Sequence, residues 1–303
     1  MHNRNDLDRR RVVKAVAATA ALSVVPRTFA KDGHPFTEPL YFQAAAVRDE
    51  CVKDLPGTLR ALRQMGYVGT EFLYLPGFKS LPRADFGPLA ATPPAQLRRI
   101  LTDAGVACDS CHFQAENFSN TSFPEAIDWA REMQLKYLVI TELPSPKSSQ
   151  DWHQIYDTLN RVGEKVRKEG FLLAYHTDFP AGIRCDGKIP LDEMLRAVPR
   201  EIMTHELDCA AFVSTGLDPA KYLRRYHGRF FAIHLRDGIK PETPGKYVNA
   251  VPFGTGILNF NDIIQAARQA GVRRYIVEMQ VRPLSGAMQA YKSGYECLRK
   301  LDL

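Results

Sequence analysis

Four residues in the second half of the chain carry side chains that bind divalent metal ions: His176, Asp208, His234 and Glu278. Each lies at the end of an apolar run, and no local motif such as HExxH is present, so four separate elements would have to supply the ligands. Two imidazoles and two carboxylates suit Mn2+, Co2+, Zn2+ or Mg2+, and do not suit copper(I) or iron–sulfur clusters. The set predicts a divalent metal site wherever the fold brings these elements together.

The stretch FFAIHLRDG, residues 230–238, shows the problem that such a site solves. Its apolar start is typical of a buried parallel strand, yet the run leads directly into His234, Arg236 and Asp237. Burying such groups without partners costs several kcal/mol, on the order of 2–7 for each polar group. Either the strand ends there or these side chains form a binding site.

Other strand-like runs also end in or near polar side chains, namely Gln43, Glu71, His112 and Glu142. We expect Glu278 to act as a base that also contacts the metal, and Glu142 to act as the opposing acid or base. Substrate contacts are expected from Glu71, His112, Asp178 and Arg236. For Arg236, a salt bridge with a neighbouring strand is an equally good interpretation.

The elements that must position these residues alternate regularly between strand and helix. Eight strands are predicted, at residues 40–46, 68–74, 107–113, 137–143, 171–177, 202–208, 230–236 and 275–280, separated by amphipathic helical segments. Several helical segments end in glycine, as a helix C-cap requires. This order predicts a (β/α)8 TIM barrel, in which functional side chains lie at the carboxyl ends of the strands. A doubly wound open sheet is the alternative, but no Gly-rich nucleotide loop follows the first strand.

Residues 1–30 are predicted to be an export signal rather than part of the fold. Arg9 and Arg10 precede a short Ala-rich apolar run, and Thr28 and Ala30 have the spacing that signal peptidase reads. The pattern predicts a twin-arginine signal, translocation by that machinery, and a mature periplasmic or secreted domain at residues 31–303. An amphipathic first helix is the alternative, and the apolar run is too short for a stable membrane anchor.

The composition of the chain limits the classes of partner that we expect for it. The chain has 303 residues with formal charge +6, of which residues 1–30 contribute +4, so the mature domain is nearly neutral. No basic and aromatic stripe is present, so nucleic acid is not an expected partner. The six cysteines do not form a disulfide framework in a domain of this size. Cys108 and Cys111 are spaced as CxxC, but in an extended segment they would face opposite sides, so a structural role is expected.

The chain resembles the xylose-isomerase-like sugar phosphate isomerases and epimerases over nearly all of the mature domain. The resemblance rests on the opening segment that ends in Glu71, on Ser110-x-His112, on LLAYHT, and on two segments near the carboxyl end, HELDCAAFVSTGLDPAKYLRRYHGRFFAIHLRDG and FGTGILNFNDIIQAARQAGVRRYIVEMQ. It implies that His176, Asp208, His234 and Glu278 are the metal ligands. Two departures concern substrate identity: Asp178 replaces a histidine, and Arg236 replaces a lysine.

The resemblance implies a metal-dependent isomerase or epimerase acting on a sugar or keto-sugar through an enediolate. Loss of a leaving group from the same intermediate would instead make a lyase or dehydratase. An endonuclease IV-like hydrolase is a further alternative, against which the near-neutral charge argues. A non-catalytic sugar-binding protein is the last, and the altered YHTDF segment is compatible with it.

Overall fold

The computed structural model describes residues 35–79, 81, 84–144, 146–177, 179–239, 249–279 and 286–303. Its strands are β1 (Leu40–Gln43), β2 (Gly69–Leu73), β3 (Ser110–Phe113), β4 (Tyr137–Ile140), β5 (Leu172–Thr177), β6 (Met203–Asp208), β7 (Phe230–Leu235), β8 (Gly238–Ile239), β9 (Asn249–Ala250) and β10 (Arg274–Val277). All except β8 and β9 form a closed parallel barrel in which β1 pairs with both β2 and β10. The (β/α)8 prediction is confirmed, and the open sheet is wrong.

Helices follow the strands on the outside of the barrel. They are α1 (Arg48–Met65), α2 (Pro94–Asp103), α3 (Phe123–Glu132), α4 (Ser149–Lys168), α5 (Phe179–Gly182), α6 (Pro190–Ala197), α7 (Cys209–Ser214), α8 (Pro219–Arg225), α9 (Phe260–Ala270) and α10 (Ala287–Arg299). Gly66 and Gly271 are two of the glycines that follow predicted helical segments, and they end α1 and α9 with φ of 112° and 80°. Only glycine adopts this left-handed conformation without strain, so the two residues fix where these helices stop.

The inner face of the barrel changes character along its axis. Toward the amino ends of the strands, an apolar cluster fills the interior, and we name it the apolar plug; it consists of Tyr41, Val139, Ala174, Phe231, Ala232 and Ile276. Toward the carboxyl ends, the residues two positions later on several strands are polar. Because side chains on one face of a strand recur every second residue, a single strand supplies both regions.

The cysteine pair departs from expectation. Strand β3 begins at Ser110, so Cys108 precedes the strand and is not held in its alternation. The Sγ atoms of Cys108 and Cys111 lie 3.8 Å apart, and the expectation that the two side chains face opposite sides is therefore wrong.

Two predictions lie outside the described residues: the export signal at residues 1–30 and the substrate contact of Asp178. Within the described ranges, no helix combines the length and apolar character that crossing a membrane requires.

Candidate active site

The carboxyl end of the barrel interior holds a cluster of buried and partly buried polar residues, which we name the polar cup. Its members are Gln43, Glu71, Ser110, His112, His176, Glu206, Asp208, His234, Arg236 and Glu278. Strand pairing sets neighbouring members side by side, because Gln43 pairs in register with Glu71, and Asp208 with His234. The strand-end positions chosen from sequence, except Glu142, therefore converge on one site.

The deeper layer of the cup is built from two imidazoles between two carboxylates. His112 Nε2 lies 2.6 Å from Glu71 Oε2 and 3.0 Å from Glu206 Oε2. His234 Nε2 contacts the same two oxygens at 2.9 and 3.2 Å. Four donor atoms from four strands thus face a common point. Such mixed nitrogen and oxygen sets are what borderline divalent ions prefer.

The outer layer is an ion network around a guanidinium. Arg236 donates hydrogen bonds to Asp208 Oδ2 and, at 3.1 Å, to Glu278 Oε1. The other carboxylate oxygen of Glu278, Oε2, lies 2.8 Å from His234 Nδ1. His234 therefore connects the two layers, with one ring nitrogen toward each.

His176 contributes a possible ligand atom to both layers. Its Nε2 atom is buried without a hydrogen-bond partner among the described residues, and it lies 3.6 Å from Asp208 Oδ2. Two four-residue sets have donor atoms within 4.8 Å of one another: His176, Asp208, His234 and Glu278, which we name the outer set, and His112, His176, Glu206 and His234, which we name the deep set. The structure thus brings the four predicted ligands together, and their role as ligands stays a prediction.

Charge pairing sets the protonation of the cup. Burial lowers the pKa of His112, but the Glu71 and Glu206 carboxylates outweigh this and raise it to about 9. The pKa of His234 is likewise raised against burial by Glu206, Glu278 and Glu71. Burial raises the pKa of Glu278, yet the charges of Arg236 and His234 hold it well below the usual range. Without a metal, protonated imidazoles balance the buried carboxylates.

Asp237, near the end of the stretch FFAIHLRDG, has a structural role. Its carboxylate accepts hydrogen bonds from the backbone N–H groups of Gly238, Gly254 and Gly256, at 2.9, 2.9 and 3.0 Å. A Cβ atom at Gly256 would lie 2.0 Å from the Asp237 carboxylate, so only glycine allows this approach. Asp237 therefore anchors the loop before α9, while His234 and Arg236 face the cup.

One predicted site residue lies outside the cup, and one residue of the cup was not predicted. Strand β4 ends at Ile140, and Glu142, two residues later, is exposed and takes no part in the hydrogen-bonded cup. Glu206, by contrast, was not predicted although it is fully buried in the deep layer. It precedes Asp208 by two positions on the same strand, and that spacing alone places both on one face.

A profile of the xylose isomerase-like TIM barrel matches residues 59–301, and the chain belongs to this family. Among curated relatives, it is 22% identical over 139 residues to the inosose dehydratase of Lacticaseibacillus casei, covering 42% of this chain and 46% of that protein. The match thus spans about half the length of that relative.

Solved structures with the same fold include a sugar phosphate isomerase/epimerase from Parabacteroides distasonis. Its TM-score is 0.70 at 21% identity, over 86% of this chain and 93% of that one. The IolI protein, whose crystal structure contains a zinc atom, has a TM-score of 0.67 at 16% identity, over 86% and 96% of the two chains. At these identities, the likeness concerns the fold.

Proposed function

We propose that this chain is a metal-dependent enzyme that removes a proton next to a carbonyl group of a keto-sugar, and that the reaction is a dehydration. The observation that carries the proposal is the polar cup, a buried set of imidazoles and carboxylates at the end of the barrel where such folds place their chemistry. The inosose dehydratase relatives support the choice of reaction.

The residues of the cup fit a divalent ion. His176 Nε2 and Glu206 Oε1 are buried donor atoms without a hydrogen-bond partner among the described residues. An unpaired buried polar atom lowers the stability of the fold by about 1–3 kcal/mol. A bound cation would remove this cost. When bound, the ion supplies a Lewis acid for the hydroxyl and carbonyl oxygens of a substrate. The bound zinc of the IolI protein supports this assignment by likeness.

Glu278 is the proposed base and Arg236 the proposed substrate-binding group. Arg236 already holds Glu278 Oε1 at 3.1 Å and keeps the pKa of that carboxyl low. A substrate oxygen or carboxylate that attracts the guanidinium would weaken this pairing and raise the proton affinity of Glu278. Substrate binding would thereby make Glu278 a better proton acceptor.

A dehydration also needs a group that gives a proton to the departing hydroxyl. His112 lies in the cup and carries such a proton at neutral pH, because the Glu71 and Glu206 carboxylates raise its pKa to about 9. Isomerisation or epimerisation is the second candidate, because it begins with the same proton removal. Epimerisation needs an opposing acid or base, and the exposed position of Glu142 argues against that residue in this role.

Deuterium exchange followed by NMR, across a panel of aldoses, ketoses and keto-cyclitols, tests the proposal. We expect metal-dependent exchange of the proton beside the carbonyl, together with loss of water. Exchange with an epimer and no dehydrated product would favour the second candidate. Tight sugar binding with no exchange under any divalent metal would favour a non-catalytic binding protein.

We also propose export through the twin-arginine pathway, on the sequence of residues 8–30. Replacing Arg9 and Arg10 with Lys keeps the charge and removes the paired guanidinium groups. The variant should accumulate in the cytoplasm, measured by fractionation against the wild-type chain. Undiminished export of the variant would refute the assignment.

A further inference from the structure

The CxxC pair, Cys108 and Cys111, lies where the chain entering β3 departs from regular pairing with β2. Gly69 pairs in parallel with Ala107. Further along, Phe72 pairs with Cys111. Three steps on β2 therefore match four steps on the facing segment, so one extra residue is inserted between Ala107 and Cys111 as a β-bulge. The bulge interrupts the alternation of side chains, which is why a regular extended spacing predicts the wrong faces for the two cysteines.

The opposite edge of the same segment shows the insertion as well. The carbonyl oxygen of Asp109 accepts hydrogen bonds from the backbone N–H groups of two successive residues, Lys136 at 2.8 Å and Tyr137 at 3.0 Å. A regular parallel ladder spaces its hydrogen bonds evenly and does not double them in this way. Main-chain hydrogen bonds therefore define the bulge on both edges, and it places Cys108 Sγ 3.8 Å from Cys111 Sγ.

Two sulfur atoms at this distance suit either a shared metal ion or a disulfide. A structural zinc site needs four ligands, and in the described parts of the chain no group of three or more metal-binding side chains includes Cys108 or Cys111. A disulfide joins sulfur atoms about 2.05 Å apart, so closing this bond needs only a small shift of one side chain. The geometry therefore favours a disulfide over a metal site.

The two thiols differ in their access to solvent. Cys108 is partly exposed, whereas Cys111 is buried. Burial, together with the neighbouring Cys108, raises the pKa of the Cys111 thiol well above its usual range. Cys108 is therefore the sulfur that an external oxidant meets first, and Cys111 is the sulfur that completes the exchange.

We propose that Cys108 and Cys111 form a reversible disulfide in the folded protein, with a small-molecule disulfide such as oxidised glutathione as the oxidant. The Cys108 thiolate attacks one sulfur of the oxidant, and the first thiolate leaves. The Cys111 sulfur loses its proton and attacks Cys108 Sγ, and the second thiolate leaves. The protein loses two protons and two electrons, and the oxidant is reduced to two thiols. An oxidising compartment, which the proposed export would supply, favours the closed form.

The bond would enclose a segment that contacts both the cup and the opposite end of the barrel. Ser110 lies between the two cysteines and donates a hydrogen bond to Glu71 Oε1 at 2.8 Å. Asp109, the other enclosed residue, forms an ion pair with Arg274 on β10. Closing this short ring removes conformational freedom from the unfolded chain, so the oxidised protein should melt about 2–5 °C above the reduced protein.

Thiol trapping in the purified full-length protein tests the proposal independently of the reaction in the cup. Native protein is incubated with oxidised glutathione, unfolded, alkylated and digested with trypsin. The peptide of residues 100–131 contains Cys108 and Cys111 and no other cysteine. We expect this peptide to carry no alkyl group and to be lighter than the reduced peptide by two hydrogen atoms. Alkylation of both cysteines, or glutathione retained on Cys108, would overturn the inference.

A matched pair of variants gives an independent reading through stability. Cys108→Ser removes one sulfur of the pair, and Cys297→Ser, at another partly exposed cysteine, is the control. The melting temperature of each protein is measured in oxidised and in reduced glutathione. The wild type and Cys297→Ser should melt higher in the oxidised buffer, whereas Cys108→Ser should melt at the same temperature in both. A shift that persists in Cys108→Ser, or its absence from the wild type, would contradict a stabilising bond between Cys108 and Cys111.

Discussion

The two ends of the barrel interior are built from the same strands but contribute to stability in different ways. On β10, Ile276 belongs to the apolar plug, and Glu278, two residues later and just past the end of the strand, belongs to the polar cup. The same step leads from Ala174 to His176 on β5 and from Ala232 to His234 on β7. The plug buries apolar surface, which stabilises the fold, whereas the cup buries charges, which stabilise it only while each has its partner.

The plug and the cup tolerate different substitutions because their residues are constrained in different ways. A residue in the plug is replaceable by any side chain of similar volume and polarity. A residue in the cup is constrained by the partners on neighbouring strands, as His234 is by Glu71, Glu206 and Glu278. We therefore expect plug variants to change stability with little effect on chemistry, and cup variants to change the chemistry and also to lower stability wherever a buried charge loses its partner.

The largest effect on stability is expected at Ile276. Its side chain is 1% exposed and its backbone pairs in register with Tyr41 and His234. Ile276→Ala would leave a cavity in the plug and should lower the free energy of unfolding by about 2–5 kcal/mol. Urea denaturation measures this loss, and turnover per folded molecule should stay within a few fold. Strong loss of turnover in the folded variant would show that the two ends are coupled.

The matching change in the cup is Glu278→Gln. The amide keeps the size and an oxygen but cannot accept a proton, so exchange of the substrate proton with deuterium should fall by about 100-fold or more. Metal content should fall much less, because the amide keeps an oxygen that can bind the metal. NMR of substrate exchange and elemental analysis of the same sample are the measurements. Unchanged exchange would remove Glu278 from the role of base.

Gly69 tests how tightly the plug is packed. A Cβ atom at this position would lie 2.3 Å from the Tyr41 ring and 2.7 Å from the Ala107 carbonyl oxygen, so one of them must move. Gly69→Ala should therefore destabilise the fold by about 1–3 kcal/mol, the usual cost of overpacking. Gly286→Ala is the control, because no atom of the described part of the chain lies within 4 Å of its added methyl group. Equal melting temperatures for the two variants would contradict the tight packing.

The sequence alone was sufficient to predict the barrel and most residues of the cup, and the reason is physical. Parallel barrel strands bring their carboxyl ends to one rim, so Glu71, His112, His176 and His234 could be placed together without knowing a single contact. Glu142 lies outside the cup because the chain leaves the barrel at Ile140, a boundary that the apolar run of β4 does not mark. The bridge from Arg236 to Asp208 and Glu278 depends on side-chain directions on three strands, which no local pattern encodes.

The smallest expected effect is a pH dependence of stability that belongs to the cup alone. In metal-free protein, Glu71 and Glu206 raise the pKa of His112 from 6.5 to about 9, so the folded state binds this proton more tightly than the unfolded state. The resulting stabilisation is fully present below about pH 6.5 and is lost as pH rises through 9, an effect on the order of 1–3 kcal/mol. The melting temperature of chelator-treated protein should therefore fall between pH 6.5 and 9. His112→Gln has no proton to lose at this position, so its decline over the same range should be shallower, whereas Ile276→Ala should decline in parallel with the wild type from a lower start. An identical slope in wild type and His112→Gln would show that the buried carboxylates of the deep layer are not balanced by this imidazole.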